Sequence, residues 1–209
     1  MSKILEKIIY EQLYKYFTGN KILHPSLHGY RQNRSTQTAL LEIYDKWVEA
    51  AHNGCISGAV LLDLSAAFDL VSHDILQAKL QVYGLQSDFL EWIQSYMSNR
   101  YQSVWIDHVF SPCLPVDVGV PQGSNLGPLF FLLFANDLAS NLSCDIVQYA
   151  DDSTLSASCK TLNEVQNTLE ISCEAVRVWM AENHLQLNAE KTHVMALGTD
   201  QRMKSVNIA

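Results

Sequence analysis

The sequence predicts an α+β fold in which helices pack against an antiparallel sheet. Two observations lead to this prediction. Apolar residues repeat with helical spacing in several long segments, and short β-branched runs alternate with those segments in mixed order. The 209 residues are enough for one domain, or for one domain and part of another, and a hydrophobic share of 48% can supply the core.

The N-terminal third predicts two helices and a strand. Residues 2–18 form one apolar stripe that Gly19 ends, and Ser35 can cap a second helix that continues to about Gly54. The apolar run 58–63 then predicts a strand whose last residue is an aspartate. The residues of the first stripe are Leu5, Ile8, Ile9, Leu13, Tyr16 and Phe17.

The middle of the chain predicts three more helices and a strand-rich segment. Helices are expected over about 72–83 and 87–97, and the alternating residues 101–120 predict two or three short strands. A very apolar helix is expected to begin at Gly127-Pro128, as N-cap and first position, and to end near Ser140.

The C-terminal third predicts a hairpin, a long helix and a last strand. β-prone residues flank Asp151 and Asp152 on both sides, and Thr161 opens a capping box that starts a helix. Residues 192–197 predict the last strand. The apolar residues of the long helix, at near-ideal spacing, are Leu162, Val165, Leu169, Cys173, Val176 and Met180.

Charge and cysteine content narrow the class of protein. The net charge of −8 argues against a protein that wraps nucleic-acid phosphates, although residues 1–34 carry six basic and two acidic side chains. Five cysteines without a CxxC pair fit neither a disulfide framework nor a zinc site. The chain has no signal-peptide pattern and no apolar run that could span a bilayer. We therefore expect a soluble intracellular protein, nuclear or cytoplasmic, without a membrane partner.

Asp151 and Asp152 are the most informative residues, because two adjacent carboxylates in an apolar hairpin need a cation or a shifted pKa. A third carboxylate, Asp63, ends the predicted strand 58–63 and would project beyond the sheet edge. A divalent metal ion is the simplest partner for three such groups. Each also has a plainer explanation, with Asp63 as a helix cap or turn residue and the pair as a surface turn.

Four ordered motifs favour the metal-site explanation. Asp63 to Phe68, Gly119 to Pro128, Tyr149 to Asp152 and Asn188 to Thr192 resemble, in that order, the palm motifs of reverse transcriptases. Segments between them, such as Trp92 to Arg100, and the earlier segment His28 to Thr36 resemble the non-LTR branch, which is LINE-type and jockey-like. The similarity extends over nearly all of the chain.

The resemblance implies a polymerase palm, an antiparallel sheet backed by helices with a ferredoxin-like or RRM-like core. Residues 1–57 would be a partial fingers segment and residues 58–209 the palm, with 84–118 as a candidate fingers-like insertion. The family pattern also implies a fragment that lacks the N-terminal fingers, the thumb and the endonuclease domain encoded by a parent element.

The activity that the resemblance implies is RNA-directed DNA polymerisation, in which a dNTP is joined to a primer 3′-hydroxyl on an RNA template. Two Mg²⁺ ions, or Mn²⁺, would serve such a phosphoryl transfer. Asp63 and Asp151 would be the shared ligands and Asp152 a weaker one. The Leu64 carbonyl would complete the metal site on the triphosphate side.

Nucleotide-binding roles carry over from the family residue by residue. Phe68 matches the aromatic steric gate that excludes a ribose 2′-hydroxyl, and Gln122 and Gly123 match the loop beside the incoming nucleotide. Lys191 matches the lysine proposed to protonate the pyrophosphate. An ordinary core phenylalanine and a solvated lysine are the alternatives for Phe68 and Lys191.

Arg31, Arg34 and Tyr149 are the candidate contacts to template and primer. Pairing with acidic side chains is the alternative for the two arginines, and His28 and His73 are expected to be structural. The implied partners are an RNA template, a DNA primer and dNTPs.

Two other functions stay open. One is an inactive remnant or domesticated module that binds nucleic acid or protein. The other is a metal phosphohydrolase, which the lack of a general-base residue near the carboxylates disfavours.

Overall fold

A computed structural model describes residues 2–198, which fold as two compact units. Unit 1 comprises residues 2–22 and 66–135, and unit 2 comprises residues 23–65 and 136–198. Helices and antiparallel strands are mixed along the chain, as the sequence predicts. The boundary expected between a fingers segment (1–57) and a palm (58–209) stays a prediction.

The helices and strands are numbered in chain order. They are α1 (Ser2–Gly19), α2 (Thr36–His52), β1 (Ile56–Leu62), β2 (Leu64–Ser65), α3 (His73–Val82), α4 (Ser87–Met97), β3 (Tyr101–Gln102), β4 (Trp105–Ile106), β5 (Val109–Phe110), β6 (Leu114–Pro115), α5 (Gly127–Phe134), β7 (Asp145–Tyr149), β8 (Asp152–Cys159), α6 (Leu162–Glu182), β9 (Gln186–Leu187) and β10 (His193–Leu197).

The core of unit 2 is a four-stranded antiparallel sheet with the strand order β10-β1-β8-β7. Its two central strands, β1 and β8, carry fully buried residues such as Ala59 and Leu155. The strands predicted at 58–63 and 192–197, and the hairpin around Asp151, are confirmed to within two residues.

Two helices cover opposite faces of this sheet. A side chain at Gly58 would meet Val165 of α6 at 2.5 Å, so that face packs against α6. Gly58 pairs with Ala157, and successive residues of a strand point to opposite faces. The neighbouring Ser156 therefore lies on the other face, where its Oγ accepts a 2.7 Å hydrogen bond from Trp47 Nε1 of α2.

Helix starts predicted from capping residues are confirmed. Ser35 and Thr38 form a capping box at α2, and Thr161 and Glu164 form one at α6. α3 begins within one residue of its expected start at about residue 72, and the Ser72 side chain caps it. Each cap satisfies an amide that the first helical turn leaves without a helical partner, which is why polar residues mark these boundaries.

Unit 1 is mainly helical and is centred on α5. Every side chain from Leu129 to Phe134 is at most 3% exposed, and α3 packs against both α4 and α5. Phe17 of α1 is fully buried and meets Tyr83 edge to face. Residues 101–120 form four two-residue strands, β3 with β6 and β4 with β5, where the alternation predicts two or three strands.

The expectation that the apolar helix reaches Ser140 is wrong, because α5 ends at Phe134. Directly after it, Asn136 Oδ1 accepts a 2.7 Å hydrogen bond from the His24 amide, and Asp137 Oδ1 accepts one of 3.0 Å from Trp179 Nε1. These side chains bond to distant parts of the chain, which the local apolar pattern does not reveal. The helix also begins at Gly127 itself, one residue earlier than predicted.

Candidate functional site

The pairing of β1 with β8 brings two of the predicted acids to the same end of the sheet. The antiparallel register ends with Leu62 opposite Ser153. Asp63 directly follows Leu62 and Asp152 directly precedes Ser153, so these aspartates take the next position of the same register. Their side chains are partly accessible, with that of Asp63 24% exposed.

Asp151 lies in the two-residue turn between β7 and β8. Tyr149 and Asp152 are the last paired residues, so Ala150 and Asp151 form the turn. Ala150 has a φ of 57°, in the left-handed region that costs a residue with a side chain about 1–2 kcal/mol. Such a backbone persists only where the surrounding structure holds it.

The three carboxylates form one electrostatic cluster together with Lys191. Burial raises the pKa of Asp152, the charges of Asp151 and Asp63 raise it further, and Lys191 opposes them. The Lys191 ammonium lies 3.4 Å from Asp63 Oδ2. Because neighbouring like charges repel each other, this cluster favours a cation close to it.

One backbone segment positions both Asp63 and Lys191. β2 pairs with β9, so that Leu64 lies opposite Leu187, and the Asn188 amide donates a 2.9 Å hydrogen bond to the Asp63 carbonyl. A 3-10 turn that begins after Asn188 then carries Lys191. The lysine therefore reaches Asp63 from the turn that directly follows Asn188, the residue that bonds to the backbone of that aspartate.

The side chains fit a divalent cation by chemistry and charge. All three acids offer carboxylate oxygens, which Mg²⁺ and Mn²⁺ prefer, and Mg²⁺ needs few protein ligands because it keeps waters and substrate phosphates. Within residues 2–198, however, no three or more His, Cys, Asp or Glu side chains already converge in a way that could hold a metal ion. The cation that the structure shows beside Asp63 is Lys191.

Phe68 belongs to unit 1, where its ring is part of the core packing but not fully covered. It stacks on Phe131 with ring centroids 4.6 Å apart. Its carbonyl accepts a 2.9 Å hydrogen bond from the amide of Val120. The stacked side of the ring therefore fits the alternative explanation, an ordinary core phenylalanine. Because the rest of the ring is partly accessible, the steric-gate role stays a prediction.

Gln122 and Gly123 lie on an exposed loop of unit 1. This loop contacts the 3-10 turn Ala67–Asp69, which contains Phe68. Gln122 Nε2 donates a 2.7 Å hydrogen bond to Asp69 Oδ1, and the Gly123 carbonyl accepts one from Lys3 Nζ. Gly123 has a φ of 72°, which suits glycine. The loop is thus held in place, and its contact with a nucleotide stays a prediction.

Arg31 and Arg34 make contacts within unit 2. Arg31 Nη1 donates to the carbonyls of His24 and Leu27, at 2.9 and 3.2 Å, and Arg34 Nη1 lies 3.5 Å from a Glu42 oxygen. The pairing alternative is therefore observed for Arg34, whereas Arg31 binds backbone carbonyls. Tyr149 ends β7 and is half-buried. The contacts of these three residues with template or primer stay predictions.

His28 has the structural role that the sequence predicts. It is fully buried, and its Nδ1 lies 3.0 Å from Thr38 Oγ1. That hydroxyl also donates a 2.9 Å hydrogen bond to the Ser35 carbonyl. The other ring nitrogen, Nε2, lies 3.0 Å from Glu42 Oε2 and 3.1 Å from Arg34 Nη1.

This environment predicts an acid-sensitive stability. Burial lowers the pKa of His28 below its usual value of about 6.5; Glu42 raises it, and Arg34 and Arg31 lower it. The unfolded chain therefore binds a proton at His28 more readily than the folded chain does. The contribution of His28 to the free energy of unfolding is complete above about pH 6.5 and is lost as the pH falls below that value. Urea unfolding at several pH values measures the slope.

Two substitutions test whether His28 causes this loss of stability in acid. His28→Asn should flatten the acid-side slope, whereas His52→Asn, at an exposed histidine of α2, should leave it unchanged. Parallel pH profiles for the wild type and His28→Asn would contradict the assignment.

Sequence reasoning missed the segment 26–29, which pairs with β7. Gln148 is only 2% exposed, and its amide and side chain both bond to Ser26. A polar residue in the middle of an apolar strand was the one available signal, because a buried amide side chain needs a partner. The identity of that partner, more than a hundred residues earlier, is not visible in the sequence.

A comparison with protein families matches residues 1–208 to the family described as reverse transcriptase (RNA-dependent DNA polymerase). Among curated proteins, the chain is 29% identical over 200 residues to the probable RNA-directed DNA polymerase from transposon BS of Drosophila melanogaster. It is 27% identical over 199 residues to the RNA-directed DNA polymerase from mobile element jockey of the same species. These matches cover 92% and 91% of this chain but only 22% of each relative.

Solved structures with a similar fold include telomerases from two yeasts. The Candida albicans telomerase, in complex with a fragment of telomeric RNA, matches with a TM-score of 0.68 and 16% identity over 93% of this chain and 34% of that one. The Candida tropicalis telomerase matches with a TM-score of 0.65 and 12% identity over 91% and 33%. None of the helices in residues 2–198 combines the length and the apolar character needed to cross a membrane.

Proposed function

The chain belongs to the reverse transcriptase (RNA-dependent DNA polymerase) family, and we propose that it takes part in RNA-directed DNA synthesis, joining dNTPs to a primer 3′-hydroxyl on an RNA template. The observation that carries this proposal is the cluster of Asp63, Asp151 and Asp152 at one end of β1 and β8. Because the chain spans about a fifth of the length of its curated relatives, the activity of those whole proteins is inferred for this segment.

Reverse transcriptases generally use divalent metal ions, and we assign two Mg²⁺ ions, or Mn²⁺, to the carboxylate cluster. Asp63 and Asp151 would be the shared ligands, with Asp152 as a weaker ligand and the Leu64 carbonyl completing the set. When bound, such ions neutralise charge on the triphosphate and lower the pKa of the attacking hydroxyl. Carboxylate oxygens at one end of the sheet support this assignment, because they are the ligands that hard cations take.

The other side chains position substrates and move a proton. Lys191 holds a proton on Nζ 3.4 Å from Asp63, which supports a role in protonating the pyrophosphate oxygen as it leaves. Phe68 would exclude a ribose 2′-hydroxyl, and Gln122 and Gly123 would flank the incoming nucleotide. The guanidiniums of Arg31 and Arg34, together with Tyr149, would contact the template and primer. RNA bound to the similar telomerase of Candida albicans supports a nucleic-acid partner.

Replacing Lys191 should separate its effect on cation binding from its effect on the rate of nucleotide addition. Lys191→Met removes the ammonium beside Asp63, so Mn²⁺ should bind about two- to fivefold more tightly, in line with the small energies of exposed ion pairs. The rate of nucleotide addition should nevertheless fall by about 10²-fold, because a general acid is lost. Calorimetric Mn²⁺ titration and single-turnover primer extension measure the two quantities.

Lys160→Met is the matched control, because Lys160 is exposed and bonds to the Asn53 carbonyl. It should change neither quantity. If Lys191→Met binds Mn²⁺ more tightly but extends primers at the wild-type rate, Lys191 is the solvated lysine of the alternative explanation.

Primer extension tests the proposal directly. The purified chain is given an RNA template annealed to a DNA primer and labelled dNTPs, with Mg²⁺ or Mn²⁺ and at low salt, because phosphate contacts weaken steeply with ionic strength. We expect extension that needs the divalent ion and prefers dNTPs to rNTPs. Generic phosphate esters in parallel reactions would detect a phosphohydrolase instead.

A chimaera makes a negative result decisive. Residues 1–209 replace the matching segment of the jockey polymerase, and the unaltered jockey polymerase is the positive control. If neither the chain nor a folded chimaera extends a primer while the control does, the proposal fails. The remaining explanation would then be a catalytically inactive remnant or a domesticated module that binds nucleic acid or protein.

A further inference from the structure

We propose that residues 26–29, here called the brace segment, position Asp151 by fixing the turn between β7 and β8. Gly29 is the residue that makes this possible, because its missing side chain lets the segment touch the turn. The catalytic consequence rests on the proposed function, whereas the effect on the turn and on cation binding does not. The brace segment contacts the turn through backbone, so its residues are positioning residues.

The brace segment occupies the outer edge of β7, an edge strand of the sheet. Leu27 forms a parallel bridge with Gln148, the His28 amide donates a 2.7 Å hydrogen bond to the Gln148 carbonyl, and the Gln148 amide donates one of 2.9 Å to Ser26. The Gln148 side chain adds a 3.1 Å bond to Ser26 Oγ. The brace thus meets β7 two residues before the turn begins.

Gly29 then lies directly against the turn. A Cβ at this position would be 2.2 Å from the Ala150 nitrogen and 3.0 Å from its Cα, and 3.2 Å from the Tyr149 carbonyl carbon. Backbone atoms cannot move aside as the end of a flexible side chain can. The φ of Gly29 lies outside the left-handed region, so space and not backbone conformation is what requires glycine here.

The brace segment is itself fastened to α2 and to the following loop. The fully buried His28 contacts Thr38 and Glu42 of α2, and Arg31 holds the carbonyls of His24 and Leu27. A segment tied at so many points can resist displacement, which a loop with fewer contacts could not do.

The turn needs such support because of its own geometry. Ala150 is held at a φ of 57°, which is unfavourable for an alanine, and the next residue is Asp151. The direction of the Asp151 carboxylate therefore depends on a turn that the brace segment keeps in place.

Gly29→Ala tests the proposal against Gly19→Ala, whose Cβ would meet nothing within 4 Å. In Gly29→Ala we expect Mn²⁺ affinity about 10-fold lower, as for loss of groups that orient metal ligands. The kcat of primer extension should fall about 10²-fold with little change in the KM for primer–template. Hydrogen exchange should accelerate at residues 149–152 and not at 193–197. Gly19→Ala should match the wild type in every measurement.

A second variant covers the case in which Gly29→Ala does not fold. Ser26→Ala removes the hydroxyl partner of Gln148 and leaves the backbone pairing, so it should lower Mn²⁺ affinity about threefold and accelerate exchange at 149–152 to a smaller extent. Wild-type Mn²⁺ affinity and exchange in a folded Gly29→Ala, or in Ser26→Ala if the first variant is unfolded, would overturn the proposal. If the wild type extends no primer but exchange and Mn²⁺ affinity change as expected, the brace stands and the proposed function fails.

Discussion

Asp151→Asn is expected to reduce primer extension by about 10³-fold or more while the protein stays as stable as the wild type. Asparagine keeps the size of the side chain but removes the charge and one strong cation ligand, and loss of one group that stabilises developing charge typically costs about 10²–10³-fold. Because Asp151 would be a ligand shared by two cations, the loss of activity in this variant should lie at the upper end of that range or above it. Single-turnover extension with saturating Mg²⁺ measures the loss.

Stability should not follow activity in this variant. Asp151 is one of the charges that raise the pKa of Asp152, so removing it relieves repulsion. We therefore expect a free energy of unfolding that is unchanged or higher by up to about 0.5 kcal/mol, as for partly exposed positions. Urea unfolding at neutral pH checks this expectation.

Asp45→Asn provides the matched control for Asp151→Asn. Asp45 is an exposed acid on α2 in the same unit, so the substitution removes the same charge away from the cluster. Its extension rate should stay within about twofold of the wild type. Retention of more than a tenth of the activity by Asp151→Asn, or an equal loss in both variants, would show that Asp151 is not a shared ligand.

Phe131→Ala should lower the free energy of unfolding by about 3–5 kcal/mol, more than any other substitution predicted for this protein. Phe131 is 1% exposed and stacks on Phe68 in the core of unit 1, so alanine leaves a cavity among side chains that cannot close around it. A loss of this size is a large part of the 5–15 kcal/mol that folds a typical domain. Urea unfolding followed by fluorescence and by circular dichroism measures it.

Phe110→Ala makes the same chemical change at a surface position of unit 1, where Phe110 is 69% exposed on β5. It should cost no more than about 1 kcal/mol, because little buried area is lost with it. A cost below about 1.5 kcal/mol for Phe131→Ala would mean that the ring is not part of a close-packed core. Phe131→Leu, which refills most of the space, should recover at least half of the loss.

Features that depend on neighbouring residues were predictable from the sequence. The starts of α2 and α6 follow from Ser35 and Thr161, because a capping side chain bonds to amides two or three residues away. The strands β1 and β10 follow from apolar, β-prone runs. For the same reason the turn at Asp151 could be placed between two such runs.

Features that depend on distant residues were not predictable. α5 ends six residues before Ser140 because Asn136 and Asp137 bond to His24 and Trp179. Arg34 faces Glu42, although from the sequence a phosphate of the template or nucleotide was also open as its partner. A helical pattern contains no record of such partners, since they come from other parts of the chain.

The sequence by itself determined the local elements, the identities of Asp63, Asp151 and Asp152, and the resemblance to reverse transcriptases. These depend on residue type and on order along the chain. Only the tertiary structure decided that Asp63 and Asp152 lie at the same end of the β1–β8 pair, that Lys191 pairs with Asp63, and that Gly29 touches the turn before Asp151. The physical reason is that strand register and close packing bring together groups far apart in sequence, at distances that no local pattern encodes.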